Sequence, residues 1–271
     1  MGPSEQMAPW LSYHALYGKK ADALNLTLLL MIALPALAGG IVQAVTGFGA
    51  GIIMMLFFPL VLPMLKASAL STLVTLYLTV SLAWKFRKEV QISLLLLPLA
   101  VFLICTTAAL QLATMLDTRN LSLLFGIFLI ALALYFIRFS NRIPLKPSPV
   151  SASACSGLSG LCSGMFGIGG PPMVVYYLAV LGDKKEAYLA TTQMHFCIGS
   201  IYNTVMRACR GILTLDMLPL VAVGLAGMAA GERLGLCILR RIDVPTMKKA
   251  VYGLLAVSGV ITLFRSLLGS P

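Results

Sequence analysis

The sequence predicts an all-α polytopic membrane protein. It is expected to consist of two inverted repeats of about five hydrophobic segments each, with paired Gly-broken helical hairpins meeting at a central site. Three observations lead there. Apolar residues make up 59% of the 271-residue chain and charged residues only 11%, well below the roughly 25% charge of a soluble domain. Uncharged runs recur at the length of a spanning helix, about 20 residues. The chain also repeats itself at an offset of 120 residues: Gly40, Gly47 and Gly49 recur as Gly160, Gly167 and Gly169, Ala67 as Ala187, Ser71-Thr72 as Thr191-Thr192, and Arg87 as Arg207. Interrupted helices at matching positions of two repeats are how secondary transporters build a central site.

Residues 1–23 read as an N-terminal polar segment. The first apolar run begins near Leu24 with no small-residue cleavage site behind it, which predicts an uncleaved first helix. The first membrane repeat covers 24–137. Its opening run, Asn25 to Leu65, holds 41 uncharged residues, too long for one span, and Gly47–Gly51 breaks it into a hairpin. Ala67–Trp84, Val90–Leu116 and Asn120–Ile137 follow as further segments. A polar linker at 138–149 carries Pro144, Pro147 and Pro149, which stop helix. The second repeat, 150–268, answers with a 36-residue run, Pro147 to Gly182, broken at Gly167–Pro172, and then with Ala187–Met206, Met217–Gly231 and Ala250–Phe264.

Five segments per repeat place the second copy upside down relative to the first. Thirteen of the twenty basic residues then fall on one side, in the loops around Lys85–Lys88, 138–149, 183–186 and 232–249. The positive-inside bias makes that side cytoplasmic and puts both termini outside. The net charge of +11 expresses this bias. It does not indicate nucleic acid, because the basic residues are scattered in short clusters and line no single face. The six cysteines form no C-x-x-C or His-spaced pattern, so they read as small packing residues, and neither metal nor cofactor is implied.

The breaks carry the chemistry. Glycine lets the backbone leave the helix, and Pro171-Pro172 suit the first turn of the helix that follows. The second helix of each hairpin would aim its N–H groups and positive dipole end into the membrane interior, where an anion binds. Gln43 and Ser163 stand one turn before the two breaks, and Thr46 and Phe166 flank them. The expected substrate-binding set is Gln43, Thr46, Gly47, Phe48, Gly49, Ser163, Phe166, Gly167, Gly169, Gly170, Pro171, Thr191, Thr192 and His195. Thr191, His195, Gly199 and Asn203 recur every four residues on one helix face, as for a polar stripe turned inward. His195 is the one histidine of the apolar body and the residue expected to titrate near neutral pH. Arg207 and Arg210 close the polar span on the outer side, where either attraction of anions or, as the favoured reading, snorkelling at the interface is expected. With Asp216 and Glu232 at segment ends, no carboxylate stands mid-span, which favours an anion as cargo. Gly157-Leu-Ser159-Gly160 also spells the G-x-S-G of an intramembrane serine hydrolase, with His195 as its base. No companion motif supports it, and Ser159→Ala is expected to be nearly silent.

Gly39–Pro63 and Gly157–Leu178, with G-x-G at 47–49 and G-I-G-G-P-P at 167–172, resemble the sulfite exporter TauE/SafE family of membrane permeases, and the resemblance runs from about Leu24 to Leu268. It implies a multi-pass permease of the bacterial plasma membrane that moves sulfite or a small organosulfonate outward. Uptake of a sulfonate or carboxylate is the alternative. Partners are then the small anion and the lipid bilayer, and a homodimer is the one protein association considered. Gly51 and Ile52 stand where Pro171 and Pro172 do, and Thr46 where Phe166 does, so the expected site is asymmetric.

Overall fold

The computed structural model describes residues 26–117 and 147–243, together with a few positions between 120 and 131, Thr246 and Lys249. The polar segment 1–23, most of Asn120–Ile137 and of the linker, and Ala250–Phe264 lie outside the described residues. Eight α-helices are described: α1 (Leu26–Thr46), α2 (Ala50–Phe57), α3 (Met64–Lys85), α4 (Ile92–Met115), α5 (Pro149–Phe166), α6 (Gly170–Leu181), α7 (Lys185–Cys209) and α8 (Leu218–Leu239). No strand occurs among the described residues.

Among the described residues, four helices are long and apolar enough to cross a membrane: α1, α3, α4, and α8 with the turn before it, Leu215–Leu239. The protein is a multi-pass membrane protein. α2 with its 3-10 extension and α6 are shorter apolar pieces. At the start of α5 the linker reading changes, because Pro149 opens a helix instead of stopping one. Its missing N–H costs nothing at that position, and Ser148 and Ser151 close a reciprocal capping box ahead of it.

Two helix pairs make the closest contacts, and each runs parallel. Along α4 and α5, Pro98 O accepts from Ser156 Oγ, and a Cβ on Gly160 would stand 2.6 Å from Phe102 O. Along α1 and α8, a Cβ on Gly40 would stand 2.7 Å from Met228 O, and one on Gly235 2.6 Å from Ile41 O. Real Cβ atoms do not come so close to a carbonyl. Glycine therefore lets the backbones touch, as small residues do between membrane helices, and Gly160-x-x-x-Gly164 is such a packing motif, since a Cβ on Gly164 would run into Thr106 O.

The loops sort to two ends of the bundle. At one, Lys85, Phe86, Lys185, Glu186 and Arg240 line a common cleft. There Lys185 Nζ donates to Leu239 O at 2.6 Å and to Ile242 O at 2.9 Å, and Gln91 N–H donates to Thr191 Oγ1 at 3.0 Å. At the other end Lys66 pairs with Asp216 at 3.1 Å, and Arg210 Nη2 donates to Gln111 Oε1 at 2.7 Å.

Glu232 departs from expectation. The apolar pattern continues past Gly231 to Leu239, so α8 carries Glu232 inside it, buried, with Ser81 Oγ donating to its carboxylate. All six cysteines are free, and Cys209 and Cys237 are exposed instead of packed.

Candidate functional site

α1 stops at Thr46 and α2 starts at Ala50; α5 stops at Phe166 and α6 starts at Gly170. Between them Gly47, Gly49 and Gly167 take φ of 87°, 109° and 72°, the left-handed region that disfavours any Cβ. Gly169, at φ −95°, has no such need. Its requirement is space, since a Cβ there would stand 2.9 Å from Ser163 Cβ and 3.1 Å from the Phe102 ring. The two breaks also touch each other: a Cβ on Gly51 would lie 3.2 Å from Gly167 O, and one on Gly170 3.4 Å from Phe48 Cβ.

Side chains hold the first break from behind. Gln43 Oε1 accepts the Ala50 N–H at 3.2 Å, and Gln43 Nε2 donates to Gln193 Oε1 at 3.4 Å. Gln193 Nε2 in turn donates to Gly47 O at 2.6 Å, and Tyr188 OH to Thr46 O at 2.8 Å. Thr46 Oγ1 donates within its own turn, to Val42 O at 2.9 Å and Phe48 O at 2.8 Å.

At the second break the helix end is less open than a row of free N–H groups. Pro171 and Pro172 have none to offer, and the Met173 N–H is taken by Ser159 Oγ at 3.0 Å. Gly170 keeps its own. In the shorter α2 the Gly51 and Ile52 N–H groups have no partner among the described residues. The sequence asymmetry is thus an asymmetry of donors: backbone N–H on the α2 side, side-chain groups on the α6 side.

A cavity of about 50 Å³ lies where the breaks meet. It can hold a few waters, or an ion of a few heavy atoms in their place. Of the expected residues, Gln43, Phe48, Gly49, Ser163, Gly167, Gly169, Gly170 and Pro171 line it. Thr46, the last residue before the first break, and Gly47 within it do not line the cavity. Phe166 packs 5.1 Å from Phe125 and 5.5 Å from Phe128, ring centre to ring centre. Thr191 Oγ1 serves the Gln91 N–H, and the buried Thr192 Oγ1 has no partner among the described residues. His195 lies behind the wall, its ring 4.9 Å from Phe102 and 5.7 Å from Phe196, two residues that do line the cavity.

Thr72, Thr75, Thr79 and Ser200 also line it and were absent from the expected set. The three threonines share one face of α3 at i, i+3 and i+7, a period legible in the sequence. Thr75 Oγ1 is buried with no partner among the described residues. Arg207 corrects the snorkelling reading: it is fully buried, whereas its repeat mate Arg87 is exposed in a 3-10 turn, 4.4 Å from the Trp84 ring centre. α7 runs to Cys209 and so keeps Arg207 inside the bundle, while α3 ends at Lys85 and leaves Arg87 beyond it.

The serine hydrolase reading finds no support here. Ser159 Oγ caps the α6 end, and His195 Nδ1 faces Tyr177 OH at 3.3 Å, so the two form no nucleophile and base pair. Because Ser159 fills a buried polar role, its alanine variant is expected to cost about 1–2 kcal/mol and to retain transport. Thermal melting of the purified variant beside a flux assay checks both, and loss of flux without loss of stability would contradict it.

A family model described as Sulfite exporter TauE/SafE matches residues 30–262. Searches of curated proteins and of solved structures return no match.

Proposed function

The chain belongs to the sulfite exporter TauE/SafE family, and we propose that it moves sulfite or a small organosulfonate out of the cell by alternating access. The observation that carries this is the cavity at the meeting of the two breaks. Its wall offers backbone N–H, amide and hydroxyl groups, and no carboxylate is among its lining residues. Such a wall suits an anion, and the small volume suits a compact one. With the cell interior negative, each exported negative charge gains about 2.3 kcal/mol per 100 mV, so export needs no coupled ion. The permease acts in the bacterial plasma membrane. A second copy of the chain is not part of this reading.

Alternating access follows from two inverted repeats, 24–137 and 150–268, joined by the linker 138–149. The parallel pairs support inversion: α1 and α5 are repeat mates, as are α8 and α4, and each first helix packs on the other repeat's fourth. Met173, one turn into α6, bonds Ser159, two turns before the end of α5, which supports a hairpin that returns to the side it entered. The clustering of Lys85, Lys185 and Arg240 at one end supports the charge-based orientation.

Direct binding tests the substrate. Purified protein titrated with sulfite, sulfate, thiosulfate, taurine and sulfoacetate is expected to bind sulfite or one of the sulfonates. Binding to none of them overturns the reading. Single-cysteine labelling from outside tests the orientation: probes at Arg210 should react and probes at Lys88 and Lys185 should not. Reaction at all three, or the reverse pattern, overturns it.

A further inference from the structure

We propose that Arg207 shapes anion binding in the cavity in two ways: its positive charge beside one wall favours a doubly charged oxyanion over a singly charged one, and through Asn203 it sets Ser163 as a hydrogen-bond donor to either. This rests on the permease reading above.

Arg207 is fully buried, and no described carboxylate pairs with it. All its partners are neutral. Nη1 donates to Ser68 Oγ at 2.6 Å, Nη2 to Gly164 O at 2.9 Å and Ser163 O at 3.4 Å, and Nε to Asn203 Oδ1 at 2.8 Å. The two carbonyls belong to the last turn of α5, whose end carries roughly half a unit of negative charge. The rest of the guanidinium charge is uncompensated, a costly arrangement in a protein interior that an anion in the adjoining cavity relieves.

The second part follows from donor and acceptor accounting. Arg207 has only donors, so it holds Asn203 with Oδ1 toward itself and Nδ2 away. Nδ2 then donates to Ser163 O at 3.0 Å and Ser163 Oγ at 3.1 Å. A hydroxyl oxygen that accepts in this way retains its proton for another partner, and Ser163 lines the cavity. Across the cavity, Gln43 Oε1 is occupied by the Ala50 N–H, so Gln43 also presents N–H. The polar side chain preceding each break is therefore set as a donor, one by the buried arginine and one by the backbone.

Asn203→Asp is the informative variant. It keeps the shape, gives Arg207 a carboxylate partner, cancels the charge, and turns the Ser163 proton away from the cavity toward the new carboxylate. Binding is measured on purified wild-type and variant protein in mildly alkaline buffer, with sulfite as the doubly charged probe and methanesulfonate as the singly charged one. The expected result is a fall of about tenfold or more in sulfite affinity, with the sulfite-to-methanesulfonate preference collapsing while the melting temperature holds or rises. Ser163→Ala removes the donor and keeps the charge, so both anions should weaken alike and the preference should survive. Should Asn203→Asp not fold, Arg207→Gln reads the same preference. An unchanged preference in a folded charge-cancelling variant overturns this role and leaves Arg207 as a cap on α5. Wild-type protein that binds neither anion overturns the permease reading and this one with it.

Discussion

Gly169→Leu is expected to abolish anion movement, a loss of at least about a hundredfold, in protein that still reaches the membrane folded. The added Cβ would meet Ser163 Cβ at 2.9 Å, the Phe102 ring at 3.1 Å and Ser159 O at 3.2 Å. Ser163 and Phe102 line the cavity, so the branched side chain enters the space assigned to the substrate. Overpacking of this kind costs about 1–3 kcal/mol of stability, less than a bundle of this size is expected to need to unfold. The backbone is not the obstacle, because Gly169 sits at φ −95°. Gly211 is the opposite case and serves as the control. Its φ is 67° with nothing within 4 Å of a Cβ, so Gly211→Ala should cost about 1–2 kcal/mol of backbone strain and leave transport intact. Flux in proteoliposomes, normalised to folded protein, separates the two. Equal substrate affinity in folded Gly169→Leu protein would reduce this glycine to a packing role.

Both glycines were visible in the sequence as letters, but only one kind of information about them was. The breaks were legible because glycine clusters inside apolar runs have few other meanings, and helix bounds followed because the runs themselves are long. Whether a glycine is needed for its φ or for its missing Cβ depends on what stands opposite. For Gly160 that is Phe102 O, 58 residues away in the chain. The pairing of α1 with α8 and of α4 with α5 was hidden for the same reason: each joins segments from different repeats, and periodicity within a run says nothing about its neighbour. Arg207 differs, since a signal existed. The polar series 191, 195, 199, 203 continues by one more step of four to 207, and the helical period placed Arg207 on the buried face. Charge suggested the interface, but the carbonyls of Ser163 and Gly164 made burial feasible. A carboxylate in the sequence suggests the end of an apolar segment at Glu232, whereas α8 continues past it and Ser81 supplies its partner. His195 belongs to the expected site through the polar helix face it shares with Thr191 and Asn203, and Phe166 through its place beside the second break. Each instead packs in the layer behind, against aromatic rings.

Gln193→Leu is expected to have the second largest effect, and on stability as much as on transport. Gln193 is fully buried on α7 and reaches across to the first break: its Nε2 donates to Gly47 O at 2.6 Å, and its Oε1 accepts from Gln43 Nε2 at 3.4 Å. Gln43 in turn accepts the Ala50 N–H, the first residue of α2. Leucine fills a similar volume but leaves the Gly47 carbonyl and one Gln43 N–H without partners, and each orphaned buried group costs about 1–3 kcal/mol. The combined loss is about 3 kcal/mol, with the 3.4 Å contact contributing the smaller share because hydrogen bonds weaken at that length. Transport should fall further than stability alone accounts for. Gly47 is held at φ 87° by a carbonyl that no longer has its donor, and a shift there moves Gly49 and Phe48 in the cavity wall. Gln193→Glu separates the contributions: near in shape, it loses the donor to Gly47 O but keeps an acceptor for Gln43, and it brings a negative charge to the back of an anion site. Its stability should lie below that of Gln193→Leu, because an unpaired buried carboxylate would face the Gly47 carbonyl, and its sulfite affinity should be the lowest of the three. A Gln193→Glu protein that binds sulfite better than Gln193→Leu would show that the field behind the first break does not act on the anion.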